Sequence, residues 1–66
     1  MTNKERKVYD FLVDFQDLTG VFPSFKTIQY EFRFKSPASV SQYLDQLHKK
    51  GLVEKFPSHT YRLKKQ

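Results

Sequence analysis

Five residues in a short stretch, Ser36, Ala38, Ser39, Ser41 and Gln42, are the set whose types and spacing point most directly to a chemistry. Each is small or ends in a hydrogen-bonding head, and none is charged. A helix face that meets only water is usually dense in Lys and Glu. A face that enters a DNA major groove needs compact side chains that donate, accept or touch a methyl group. Gln42 has a bidentate option, most naturally to adenine N6 and N7, Ser39 and Ser41 donate or accept, and the Ala38 methyl can meet a thymine methyl. Ser36 suits a helix N-cap, and a helix N-terminus also favours a phosphate.

Other chemistries find no footing. There is no cysteine, hence no disulfide and no thiol chemistry. His48 and His59 match no metal-ligand spacing. Asp10, Asp14 and Asp17 repeat along one helix face and read as a solvated acidic surface. No Ser/His/Asp set, glycine-rich phosphate loop or carboxylate pair in a recognisable context is present. No enzyme activity, metal, cofactor or small-molecule ligand is expected.

The polar set must be carried by a helix, and the sequence marks its ends. Ser36 caps it, Pro37 occupies the first helical position where its missing N–H costs nothing, and the helix runs to Lys50. Gly51 follows at the position that wants a left-handed residue, with Lys49 and Lys50 complementing the C-terminal dipole. Val40, Tyr43, Leu44 and Leu47 recur at spacings of three and four and form the apolar stripe. The opposite face holds Ala38, Ser39, Ser41, Gln42 and Asp45.

Two helices precede it. The first is predicted from Asn3 to Leu18, opened by a Thr2/Glu5 capping box and buried through Val8, Phe11, Leu12, Phe15 and Leu18. Thr19-Gly20 ends it and Val21-Phe22-Pro23 is extended. Ser24 caps a second helix, Phe25 to Phe32, with Phe25, Ile28 and Phe32 inward. After the third helix, Leu52 to Phe56 and Thr60 to Leu63 read as strands around a Pro57-Ser58-His59 turn, and Lys64-Lys65-Gln66 as a frayed tail. Three helices followed by a two-stranded hairpin predict a mainly α fold with a small β-hairpin, a winged helix-turn-helix, as a single domain over residues 1–66.

The formal charge of +5 is unevenly placed. Residues 1–24 hold three cations against four acids, and residues 25–66 hold nine against three. The basic part contains the third helix, which favours a polyanionic partner, nucleic acid before an anionic membrane surface. Ser24, Lys26, Arg33, Lys35, Lys49, Lys50 and Lys55 are the candidate phosphate contacts. Phe22, Phe34 and Phe56 lie outside the regular inward stripes, and an exposed one could serve a dimer contact. No signal peptide or membrane-spanning run is present. The expected location is the cytoplasm of a bacterial cell, with the nucleoid.

The chain resembles the N-terminal DNA-binding domain of the LexA repressors over nearly its whole length. The resemblance rests on T-G-x-x-P followed by a cap (Thr19, Gly20, Pro23, Ser24), on Ile28, and on the F-K-S-P lead-in to the third helix (Phe34, Lys35, Ser36, Pro37). It rests also on the exit Leu44, Leu47, Lys50, Gly51, Leu52, Val53, Glu54. It implies that Ser36, Ala38, Ser39, Ser41 and Gln42 occupy base-reading positions. Three departures stand out. Arg33 replaces a usual turn glycine, Ser41 and Gln42 replace an acidic pair, and the wing is short and lacks glycines. The same fold with a different operator is implied. LexA proteins also carry a C-terminal self-cleaving and dimerising domain. These 66 residues do not contain it, so induction by cleavage is not expected of them.

The expected function is sequence-specific binding of double-stranded DNA by a small transcriptional regulator of bacterial or phage type, most naturally a repressor, with helix 37–50 in the major groove. The alternative is the same fold used as a protein-interaction module, in an antirepressor, a polymerase adaptor or a replication component. One winged helix reads few base pairs, and two copies on a two-fold site give repressor-grade specificity. A monomer that pairs weakly, or only on DNA, is therefore expected. Sedimentation without DNA should show a single-chain species, and a tight dimer at micromolar concentration would contradict this.

Overall fold

A computed structural model describes residues 1–58 and 60–64. Its elements are α1 (Asn3–Thr19), α2 (Phe25–Phe32), α3 (Pro37–Lys49), β1 (Val53–Lys55) and β2 (Tyr61–Leu63). The winged helix-turn-helix expected from the sequence is the fold observed. Helix α3 packs on α1, α2 and β1, and the two strands pair antiparallel with Val53 opposite Leu63 and Lys55 opposite Tyr61. The Phe56 N–H donates to the Thr60 carbonyl at 2.8 Å beyond the last pair. His59 of the expected turn, and Lys65 and Gln66 of the expected tail, lie outside the described residues. No helix among the described residues is long and apolar enough to cross a membrane.

Local chemistry sets most of the boundaries. The Thr2/Glu5 capping box forms in both directions: the Glu5 N–H donates to Thr2 Oγ1 at 3.1 Å, and the Thr2 N–H donates to Glu5 Oε1 at 2.8 Å. Gly20 ends α1 with φ +79°, and Thr19 Oγ1 donates to the Phe15 carbonyl at 2.8 Å. Ser24 caps α2, its Oγ accepting from the Thr27 N–H at 3.1 Å. Gly51 follows α3 at φ +77°, in the left-handed region that its position after the helix requires.

The core is Val8, Leu12, Ile28, Val40, Leu44, Leu47, Val53 and Tyr61. An aromatic run lines one side of it. Phe11 meets Phe32 edge-on at 5.6 Å, Phe32 stacks on Phe34 at 5.8 Å, and Phe34 stacks on Tyr43 at 5.2 Å. Lys4 Nζ lies over Phe34 at 5.4 Å. Phe22 and Phe34 are half-buried against the core, while Phe56 on the wing is 39 % exposed.

Three expectations are corrected. Leu18 is 86 % exposed and not part of the buried stripe, because the chain turns away at Thr19 and leaves nothing packed over the last turn of α1. The strands are shorter than their apolar patterning suggested, since Leu52 donates its N–H to the Leu47 carbonyl at 3.0 Å and so still belongs to the helix end. Ser36 occupies the N-cap position of α3, but its hydroxyl makes no capping bond. The Ser39 N–H, which that hydroxyl would have served, donates to the Ser36 carbonyl at 3.2 Å instead.

The turn between α2 and α3 is held in the left-handed region by a non-glycine residue. Arg33 has φ +55° and ψ +40°, and its N–H donates to the Tyr30 carbonyl at 3.3 Å. That conformation costs a residue with a Cβ roughly 1–2 kcal/mol, and glycine's larger unfolded freedom offsets about 0.5–1 kcal/mol of the relief. Arg33→Gly is therefore expected to stabilise the domain by about 0.5–1 kcal/mol and to raise its Tm by roughly 4 °C. Leu44→Ala should cost about 2–5 kcal/mol and leave little folded protein at ambient temperature. Thermal melts of both variants check the two signs.

Candidate nucleic-acid interface

Of the sequence-predicted reading residues, Ala38, Ser39, Ser41 and Gln42 fall on the side of α3 turned away from the core, and Ser36 precedes the helix at its N-cap position. Ala38 and Gln42 are exposed, and Ser36, Ser39 and Ser41 are half-buried. Successive residues turn by about 100° around a helix, which divides the face into three strips. Ala38, Gln42 and Lys49 follow the outermost line. Ser41 shares a flank with Asp45 and His48, both of which bond to the wing. Ser39 shares the other flank with Tyr43 and Lys50, and Lys50 bonds to α1. Among the described residues, the side chains of Ser36, Ser39, Ser41 and Gln42 make no hydrogen bond within the fold. Their polar heads are free for a partner.

The flanks are fastened. Asp45 Oδ1 accepts from the Tyr61 hydroxyl at 2.7 Å and from Lys55 Nζ at 3.2 Å. The Tyr61 bond, joined by Lys55, holds the Asp45 carboxyl below its ordinary range against the opposing effect of burial. Burial, together with the same aspartate, pushes the Tyr61 phenol up. The bond to Asp45 raises the Lys55 ammonium. His48 Nδ1 sits 2.9 Å from the Val53 carbonyl, which can only accept, so Nδ1 carries the proton. On the other flank, Lys50 Nζ donates to Glu5 Oε1 at 3.3 Å. Glu5 is only 7 % exposed, and the Thr2 backbone N–H, ahead of Lys50, holds its carboxyl low.

These contacts separate the candidate phosphate residues into two groups. Lys26, Arg33, Lys35 and Lys49 are exposed and have no ion-pair partner among the described residues. Lys50 and Lys55 are each engaged by a carboxylate of the fold. Ser24 is exposed, with its Oγ 2.9 Å from Thr27 Oγ1 as well as capping α2. Asp45, expected on the free face, belongs to the wing contact instead, because Tyr61 and Lys55 converge on its carboxylate. Gln42, Gln46, Lys49 and Lys55 line an open groove of about 580 Å³ along α3.

A profile of the LexA DNA binding domain matches residues 1–61. The chain belongs to this family. The LexA repressor of Acetivibrio thermocellus is 38 % identical over 64 residues, 97 % of this chain and 30 % of that protein. The LexA repressors of Petrotoga mobilis and Koribacter versatilis are 34 % and 36 % identical over 55 residues, 83 % of this chain in both cases. The chain thus spans less than a third of the length of the LexA repressors it matches.

Within the LexA frame the departures acquire a geometry. Arg33 adopts the left-handed turn that a glycine would adopt freely, so the turn is kept while the residue adds a cation. The wing lacks glycines and is held through side chains, Tyr61 and Lys55 onto Asp45. The sequence reading missed this contact, since its partners are ten and sixteen residues apart and no spacing rule links them. It also missed Tyr30, which is 88 % exposed on the outside of α2. That position was legible, because Tyr30 lies opposite Phe25, Ile28 and Phe32 at helical spacing.

A carboxyl held low in the folded state contributes stability above its ordinary range and loses it as pH falls through the folded value. Stability should therefore decline as pH is lowered through the carboxylate range, about 4 and below. Asp45→Asn should lower the Tm at neutral pH and make the acid decline shallower. Melting curves across pH check both, and an acid limb identical to that of the parent would contradict the Asp45 contribution.

Proposed function

We propose that the chain binds double-stranded DNA in a sequence-dependent way as part of a LexA-like transcriptional regulator, a repressor by the reading of its relatives. Helix α3 lies in the major groove. Ala38, Ser39, Ser41 and Gln42 face base edges, and Ser36 meets a base edge or phosphate at the helix start. The observation that carries this reading is the state of that face: its polar heads are unbonded within the fold while the flanks are tied down. A face left uncommitted on the helix that every other layer supports suits recognition, and family membership supports DNA as the partner.

Phosphate contacts fall to Lys26, Arg33, Lys35 and Lys49 first, with Ser24 at the α2 N-terminus. Lys50 and Lys55 contribute by exchanging a carboxylate for a phosphate or by sharing the two. Their effect on affinity is then smaller than that of the unpaired cations. Gln42 is the one side chain of the reading set able to make two parallel hydrogen bonds to one base. The replacement of an acidic pair by Ser41 and Gln42 changes acceptors into groups that also donate, so the site read differs from that of relatives carrying the acids. Two copies on a two-fold site, pairing weakly or only on DNA, supply the specificity that one copy lacks.

Selection of bound duplexes from a random pool, followed by binding measurements on the selected site, tests this. Log K should fall with log salt at a slope of roughly −0.9 per phosphate contact. Gln42→Ala should lose about 1–3 kcal/mol on the selected site and relax preference at one position, with its Tm unchanged. No selected consensus, or an affinity indifferent to salt, would overturn the proposal.

A further inference from the structure

The two strands of the wing have unequal outer edges. Along β1 the Val53 carbonyl accepts from His48 Nδ1 at 2.9 Å, so α3 closes that side. The outer edge of β2 has no such cover. The Phe56 N–H bonds the Thr60 carbonyl and the Lys64 N–H bonds the Leu52 carbonyl, which sets the alternation: Arg62 turns its N–H and C=O to Glu54. Tyr61 and Leu63 turn theirs the other way, and no backbone partner among the described residues meets them. The segment 21–24 between α1 and α2 runs past this edge without a backbone bond to it. Between the two lies a groove of about 660 Å³, walled by Val21, Phe22 and Pro23 on one side and by Tyr61 and Leu63 on the other. Val21 is apolar and yet 59 % exposed. Arg62 is the one charged residue lining the groove, no carboxylate lines it, and the exposed Lys64 follows at the end of β2.

We propose that the outer edge of β2 docks an extended, acidic segment of a partner protein, which joins the wing as a third strand. An unpaired edge holds donors and acceptors that a second extended chain can match. Tyr61 and Leu63 each offer one of both. Residues of the added strand that bond them point to the same apolar face as their side chains, while the alternate residues fall beside Arg62. Charge decides the occupant. The cations at Arg62 and Lys64, with no carboxylate in the groove, favour acids at those alternate positions. A second copy of β2 is disfavoured, because antiparallel pairing would set Arg62 and Lys64 of one chain beside the same cations of the other. The edge lies across the hairpin from His48, so a strand seated on it leaves the polar face of α3 uncovered.

The test titrates the isotope-labelled chain with a short peptide of alternating Glu and Val and follows amide shifts and hydrogen exchange. The amides of Tyr61 and Leu63 should shift and gain protection, and those of Val21 and Phe22 should shift with them. Ser39, Ser41 and Gln42 should stay unmoved. N-methylation of the peptide's Val residues, whose N–H groups face the edge, should weaken binding about tenfold or more, the scale of two lost hydrogen bonds. N-methylation of its Glu residues, whose N–H groups point away, should cost much less. Arg62→Gln should weaken binding about threefold, as expected of an exposed charge pair, with its Tm unchanged. A peptide of alternating Lys and Val should bind the parent more weakly than the Glu peptide. No shift at Tyr61 and Leu63 with millimolar Glu peptide, or equal losses from the two methylations, would overturn the proposal. Shifts of these two amides with random-sequence duplex DNA and not with the peptide would assign the edge to nucleic acid and likewise overturn it. So would a dimer of the chain alone that protects the same two amides, since the edge would then belong to a second copy.

Discussion

Helix α3 has to do two incompatible things, and the rest of the domain is arranged around that demand. One face must be apolar enough to hold a chain of 66 residues together. The other must stay polar and unbonded. Val40, Leu44 and Leu47 are fully buried and meet α1, α2 and the hairpin from three sides. No disulfide is available to supplement them. The aromatic run from Phe11 through Phe32 and Phe34 to Tyr43 extends the apolar contact past the narrow central core, which is how so short a chain buries enough surface.

The division of charge follows from the same demand. Two carboxylates on the flanks of α3 are tied down by cations of the fold. Glu5 is tied to Lys50, and Asp45 to Lys55 and Tyr61. Asp10, Asp14 and Asp17 lie exposed on α1 instead. Of the cations without an ion-pair partner among the described residues, Lys26, Arg33, Lys35 and Lys49 lie on α2, the turn and the end of α3, whereas Lys4, Arg6 and Lys7 share α1 with its acids. Folding therefore sorts a modest net charge into a field with direction.

What could be read from the sequence was what depends on near neighbours. The caps Thr2 and Ser24, the left-handed Gly20 and Gly51, and the inward stripes of α2 and α3 are set by residues within a turn or two, and the helices appear where those signals place them. Leu18 was misplaced because periodicity says which way a side chain points and not whether anything lies over it. Ser36 has the right type for a cap, but the backbone satisfied the amide first. The Asp45–Tyr61–Lys55 and Glu5–Lys50 contacts join residues distant in sequence. Only the folded arrangement reveals that two expected phosphate lysines already have partners. The free face of α3 was legible because its composition departs from that of an ordinary wet helix.

Tyr61 is at once a strand residue of the wing, 4 % exposed in the core, and the donor to Asp45. Its ring also lies against Phe25, 5.8 Å between centroids. The wing is consequently no hinged arm awaiting a ligand, because it cannot swing out without opening the hydrophobic centre. The entropy of ordering the hairpin is lost when the domain folds and not when it meets a partner, so association begins from a preorganised surface.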